Sequence, residues 1–424
     1  MRILFVSADL PTDLATEAQG LHKRMRMFVD AIKAIAQLDV LFYVSPEMDL
    51  SPEAIANREQ ALSQQWNTPI KLFLCPKFAD DNPLPKWQRQ GPGMINFFKQ
   101  ANLVDPITTS GTEQVQAFEA CLDRQPDAVF VHRLRSMCPA LLTRKALPPI
   151  FFDLDDIEHI AFARGIRQPP TRLLTLLYFL QVPALWWGER QAIRLAAHTF
   201  VCSDHDRHYL TDRLGLSGVV TVTNALTIPA PQPITSEPTL LLLGAYHYYP
   251  NINAANFLIE QIWPHIHHMM PEARLLIAGK EPQNIRSYAT GVPGVEFTGF
   301  VDDLDALYRR SRVVCCPILS GGGTRVKMIE AAAYGKPIVS TRMGAEGLEL
   351  VDDQEFLLRD DPKQFAAACL ELLQNDALCQ RLGSTARTAA IQHYDRSEIV
   401  HFIQTTIQQA IGTTASTPDY AYRH

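Results

Sequence analysis

No C-x-x-C spacing occurs among the eight cysteines, which are scattered singly or, at Cys315-Cys316, adjacent. That removes the usual zinc and dithiol motifs and leaves buried free thiols in a reducing compartment as the expected state. Clean apolar stretches of about 18 residues are missing too, so no spanning helix is expected. The opening run Arg2-Ile3-Leu4-Phe5-Val6 breaks at Ser7-Ala8-Asp9, too short for a signal core, and a cytoplasmic location is expected. Positive charge is in short supply: 39 Lys and Arg against 45 Asp and Glu give a net −6, which provides no field toward nucleic acid. The one tight basic cluster, Arg309-Arg310-Ser311-Arg312, reads as a solvated helix end. No G-x-G-x-x-G follows the first strand, where Ser7-Ala8-Asp9-Leu10-Pro11 stands, and this argues against a dehydrogenase. His205/His208 and His265/His268 have a three-residue spacing but no Cys or acidic set around them, and no metal site is expected.

What is present is a regular alternation of short β-branched runs and helical patterns, the mark of βαβ units and parallel sheets. The first series of strand candidates is Ile3–Ser7, Leu38–Val44, Ile70–Cys75, Asp127–His132, Ile150–Leu154, His198–Ser203 and Val219–Thr223. The second is Leu240–Gly244, Arg274–Gly279, Val295–Thr298, Arg312–Pro317, Pro337–Thr341 and Phe356–Leu358. Between them lies Ile228–Thr239, which holds four prolines and no helical period. The fold class expected is α/β, with two doubly wound Rossmann-like domains facing across a cleft. The expected bounds are 1–228 for an N-terminal domain, 229–239 for a Pro-rich hinge and 240–395 for a C-terminal domain. A helix over 396–411 is expected to return to the first domain, ahead of a disordered tail at 412–424. Ligands of such sheets gather at the carboxyl ends of the strands.

The strongest site signal is Ser320-Gly321-Gly322-Gly323-Thr324-Arg325-Val326-Lys327-Met328-Ile329-Glu330. It reads as strand, glycine loop, then helix, with Thr324 as expected N-cap and Gly335 as C-terminal stop. Glycines let backbone approach a ligand, and a helix N-terminus offers free N–H groups to a diphosphate. Arg325 and Lys327 in the first turn oppose the helix dipole at a cost of roughly 0.3–1 kcal/mol each. Two such cations call for a compensating anion. Glu330, one turn on, can accept from vicinal ribose or sugar hydroxyls. Alternatively, the loop is a tight turn with both cations solvated.

These residues, in this order, resemble glycosyltransferase family 4, the retaining GT-B enzymes, in the subset with a GGGTR-x-K-x-x-EA helix. Leu242-Leu243-Gly244, Ile277-Ala278-Gly279-Lys280, Thr298-Gly299-Phe300-Val301, Val314-Cys315-Cys316-Pro317 and the run Glu330 to Thr341 carry the likeness. Asn224 looks like the family's pNgv turn, and Gly20 with Arg24 like its N-terminal glycine loop. The resemblance implies a nucleoside-diphosphate sugar as co-substrate, no cofactor and no metal. Gly20, Gly244, Gly279, Gly299, Phe300, Val301, Gly322, Gly323, Thr324 and Glu330 are then donor-binding, with Arg325 and Lys327 catalytic at the leaving diphosphate. The expected acceptor is a glycan, a lipid-linked molecule or a small molecule, as in polysaccharide biosynthesis.

Three departures stand out. The earlier of the family's paired glutamates is Gly322. The Arg and Lys pair after the first C-domain strand is replaced by Gly244-Ala245-Tyr246-His247-Tyr248-Tyr249-Pro250-Asn251. The usual histidine after the fifth N-domain strand is missing, its place held by Asp155 or Asp156, read as catalytic candidates, with His132 and Arg24 on the acceptor side. The apolar, aromatic segment 169–187, with Trp186 and Trp187, reads either as an interfacial contact on the inner membrane face or as a helix packed on the N-domain. A GT-B nucleotide-sugar epimerase and a non-catalytic nucleotide-binding partner subunit remain alternatives.

Overall fold

The computed structural model describes residues 1–11, 20–77, 111–167, 179 and 182–414. The chain divides into two compact units, one formed by Met1–Val222 with the stretch from Ile399 on, the other by Thr223–Glu398.

The first unit is built on a seven-stranded sheet ordered β3-β2-β1-β4-β5-β6-β7, every pair parallel. Its strands are β1 Arg2–Ser7, β2 Gln37–Val44, β3 Ile70–Pro76, β4 Ala128–His132, β5 Ile150–Asp155, β6 His198–Val201 and β7 Val219–Thr221. Leu4, Val6, Val129, Val131, Phe152 and Leu154 pack one face. On the other, Phe5 stacks on Phe130 at 5.3 Å and Phe130 on Phe200 at 6.2 Å. Strands buried on both faces are near-continuously apolar for this reason.

The second unit has six parallel strands ordered β10-β9-β8-β11-β12-β13. They are β8 Thr239–Leu243, β9 Arg274–Ala278, β10 Val295–Gly299, β11 Val313–Cys316, β12 Ile338–Ser340 and β13 Leu357–Leu358. Alternate residues serve opposite faces. Leu240, Leu242, Val313 and Cys315 belong to one core layer, Leu241, Val314 and Cys316 to the other. The adjacent cysteines thus separate as the strand pleat requires, and all eight thiols are free and buried.

In both sheets the strand order reverses direction beside the first strand, between β1 and β4 and between β8 and β11. These are the topological switch points, outside which ligand crevices open in α/β folds. The expected hinge lies inside the second unit and is fastened to it. Lys336 Nζ donates to Pro233 O at 2.7 Å, Arg312 Nη1 to Thr235 O at 2.9 Å, and Gln232 N to Tyr334 O at 3.0 Å. The closing helix runs Arg396–Thr414, and the rest of the expected tail lies outside the described residues.

No described helix is long and apolar enough to cross a membrane. Most of 169–181 is also outside the described residues. Trp186 and Trp187 sit on the helix Val182–Leu195, which buries Ala184, Leu185, Gly188, Ala192 and Ile193. The two indoles are half-buried, with the Arg190 guanidinium 4.8 Å from the Trp186 ring centre.

Candidate active site

The second unit gathers its chemistry at the β8/β11 switch point. β11 ends at Cys316, the glycine loop follows, and the helix Val326–Ala333 begins after Arg325, which occupies the N-cap position without a side-chain cap bond. The helix therefore starts one residue later than Thr324 would have set it. Thr324 is engaged elsewhere: its Oγ1 accepts from Asn224 Nδ2 at 2.8 Å.

Arg325 folds back over its own loop. Its Nη1 donates to the carbonyls of Gly322 and Gly323, while Nε and Nη2 are buried and, among the described residues, have no partner. Lys327 Nζ donates to Asn251 Oδ1 at 2.8 Å, across to the segment after β8. Burial, with a smaller push from Arg325, lowers the Lys327 pKa. Among the described residues, neither cation has a carboxylate within ion-pair distance. Two neighbouring positive charges on neutral oxygens at a helix N-terminus are an arrangement that an anion would stabilise. Glu330 is buried on the same helix.

Gly244, Gly279 and Gly299 lie at the carboxyl ends of β8, β9 and β10, on the same sheet edge. Packing demands the second of these: Gly279 has φ +138, and a Cβ on it would stand 1.6 Å from Gly244 O. Asn251 closes on Gly244 in turn, its Cγ 3.0 Å from where a Cβ would be. Phe300 is exposed, with Lys280 Nζ 4.7 Å from its ring centre, and Val301 packs on the core.

The first unit has its own polar cluster at the β1/β4 switch point and the neighbouring end of β5. Gly20 opens the helix Gly20–Lys33, which carries Arg24. Arg24 is buried and forks onto Asp153, Nη2 to Oδ1 at 2.7 Å and Nε to Oδ1 at 3.0 Å, and lies 3.2 Å from Asp155. Arg133 Nη2 meets Asp155 at 2.7 Å. Burial alone would raise the Asp155 carboxyl, but Arg24 and Arg133 outweigh it and hold it below the usual carboxylate range. At Asp153 burial prevails and pushes the carboxyl up.

His132 is fully buried. Its Nδ1 lies 3.1 Å from Ser7 Oγ, Nε2 has no hydrogen-bond partner among the described residues, and burial presses the ring down to about 3, so it is neutral near pH 7. Asp9 Oδ2 and Arg133 Nε, on the loops that follow β1 and β4, are further buried atoms without partners among the described residues. Buried polar atoms left unpaired in a crevice are where a hydroxylated ligand gains most.

Asp156 is half-buried, its Oδ1 3.8 Å from Cys202 Sγ. Asp155, Asp156 and Cys202 place potential ligand atoms within 4.8 Å of one another. Yet Asp155 is committed to two arginines, and burial holds the Cys202 thiol protonated, so the group suits a metal poorly.

The sequence did not mark Asp153, Asp9, Arg133, Tyr248 or Asn251 as site residues. For Asp153 a signal existed: an acid inside a strand buried on both faces demands a buried cation.

Comparison with known proteins agrees with this frame. At the level of fold, sucrose-phosphate synthase from Thermosynechococcus elongatus superposes with a TM-score of 0.68 at 15% identity, over 97% of this chain and 99% of that one. Anabaena HepE in complex with UDP-glucose superposes with 0.62 at 13% identity, over 96% and 100%. Two parallel-sheet α/β units of this kind define the GT-B class. Residues 237–375 match the family model described as Glycosyl transferases group 1. The phosphatidyl-myo-inositol mannosyltransferase of Mycobacterium leprae (strain TN) is 29% identical over 260 residues, 58% of this chain and 66% of that relative. Together the domain match, the relative and the fold support a glycosyltransferase.

Proposed function

We propose that the chain moves a glycosyl unit from a nucleoside-diphosphate sugar to a hydroxyl acceptor, with retention at the anomeric carbon. The observation that carries this reading is the pair Arg325 and Lys327 at the β8/β11 switch point, whose side chains, among the described residues, bond only to Gly322 O, Gly323 O and Asn251 Oδ1.

When the bond from the anomeric carbon to the diphosphate breaks, negative charge grows on the leaving oxygen. Fixed cations and the amides of Gly322, Gly323 and Thr324 stabilise that charge without reorganising, and a resident metal is not needed for the task. The acceptor oxygen bonds to the anomeric carbon on the same face, and its proton passes to the departing phosphate oxygen. Backbone at Gly299, Phe300 and Val301 holds the base, with Gly244 and Gly279 shaping the floor, and Glu330 holds ribose hydroxyls.

In the first unit the acceptor hydroxyls meet Asp9, His132 and Arg133. Arg24 and Asp153 form the buried brace beneath them, and Gly20 opens the helix that carries Arg24. Asp155, clamped by two arginines, positions rather than exchanges protons, which leaves Asp156 as the carboxylate nearer the acceptor. By likeness to the mannosyltransferase, the acceptor is a lipid-linked or glycan hydroxyl. The location that fits is cytoplasmic, with peripheral contact at the inner membrane face through 169–187.

A thermal-shift screen with UDP, GDP and ADP and their sugars tests the reading. One base family should raise the melting temperature. No shift with any of them, at millimolar concentration, refutes it.

A further inference from the structure

The segment that replaces the family's basic pair runs directly over the glycine loop. Gly321 has φ +115, and a Cβ built on it would stand 3.3 Å from Arg325 Nη2, 3.3 Å from Tyr248 Oη and 3.6 Å from Pro250 Cγ. The guanidinium nitrogen and the phenol oxygen are therefore no farther apart than twice that distance. Nη2 is one of the buried nitrogens without a partner among the described residues. Tyr248 itself is 50% exposed and caps the helix Tyr249–Phe257. Three residues on, Asn251 holds Lys327. The glycine thus leaves no side chain between Arg325 Nη2 and Tyr248 Oη, one positive and one neutral donor that converge over bare backbone. Two oxygens of a single phosphoryl group, each accepting at about 2.8 Å, span such a gap.

We propose that Tyr248 is a specificity-determining residue of the donor site. Its hydroxyl and Arg325 Nη2 together hold the distal phosphoryl group of a nucleoside diphosphate, and so set the preference for diphosphates over monophosphates. The inference rests on the donor-site reading above and adds to it the residue that takes over from the absent basic pair. A phenol supplies direction where a lysine would supply only charge.

The test is calorimetric titration of the full chain with UDP and UMP, GDP and GMP, and ADP and AMP. The wild type should bind one diphosphate more tightly than its monophosphate. Tyr248→Phe should weaken that diphosphate about tenfold, as loss of one hydrogen bond to a charged group does, and leave the monophosphate unchanged. Gly321→Ala, which puts a methyl group against both donors, should weaken the diphosphate at least as much. An unchanged diphosphate-to-monophosphate ratio in Tyr248→Phe, with the wild type still preferring the diphosphate, overturns the role of Tyr248 and leaves the donor site standing. Failure of the wild type to bind any of the six nucleotides overturns the donor site itself.

Discussion

Replacing Lys327 by methionine separates a binding charge from a structural one. In the free chain Lys327 is a partly buried ammonium beside Arg325, with Asn251 Oδ1 as its hydrogen-bond partner and, among the described residues, no carboxylate within ion-pair distance. Removing it forfeits a hydrogen bond worth about 1 kcal/mol but relieves a desolvated charge and a like-charge neighbour. The unliganded variant should therefore be as stable as the wild type or more so. With ligand the balance reverses. A nucleoside diphosphate at 100 times its Kd stabilises the wild type by about 2.7 kcal/mol. Loss of a buried charge contact costs about 2 kcal/mol of binding, which is about thirtyfold in Kd. The same concentration is then only about 3 times the new Kd, and the stabilisation falls to about 0.8 kcal/mol. For the melting transition of the second unit, Thr223–Glu398, a shift of about 7 °C shrinks to about 2 °C. A variant that melts several degrees lower without ligand, yet keeps the full ligand-induced shift, would show that Lys327 is a packing residue and refute the charge argument.

Other outcomes follow from the same geometry. Arg24→Met strands Asp153 in the core of the first unit and should cost about 3–5 kcal/mol in urea unfolding; a loss below about 1 kcal/mol would show the pair is not buried in solution. Gly279→Ala must place a methyl group against Gly244 O and should abolish soluble folded protein, whereas Gly291→Ala, at φ +68 with nothing within 4 Å, should cost only about 1 kcal/mol; equal effects by circular dichroism would contradict the packing at the sheet edge. Burial lowers Lys336 to about 8, its hydrogen-bond partner being Pro233 O. Between that value and the ordinary lysine range the unfolded chain binds more protons, so stability gains with rising pH. Lys336→Met should thus be more stable than the wild type near pH 7, with the difference shrinking toward pH 10. A difference that is flat or grows would reverse the sign and refute the assignment.

Much of the architecture was legible because it is written in short-range patterns. The thirteen strands among the described residues all fall on the apolar runs expected, with ends displaced by at most two residues, as at Val313–Cys316 for Arg312–Pro317 and Val219–Thr221 for Val219–Thr223. Burial on both faces keeps most strand positions apolar, with Asp39 and Asp153 as buried exceptions. The glycine loop and its cations were equally visible, since loop, helix start and charges are neighbours in sequence. What escaped is pairing at a distance. Thr324 has the right chemistry for an N-cap, but Asn224, 100 positions away, takes its hydroxyl. Arg24 and Asp153 are 129 positions apart, and neither announces the other. Lys327 reaches Asn251 across 76 positions, inside the very segment whose lack of basic residues looked like a gap.

The thiols offer a use beyond their packing. Cys75, Cys121, Cys138 and Cys202 belong to the first unit and Cys315, Cys316, Cys369 and Cys379 to the second, each sulfur beneath the surface. A native molecule should therefore stay silent toward an alkylating reagent until a unit opens. Mass spectrometry of quenched samples then becomes a built-in stopwatch: labels arriving in one quartet before the other name the half that breathes first, with no foreign probe introduced.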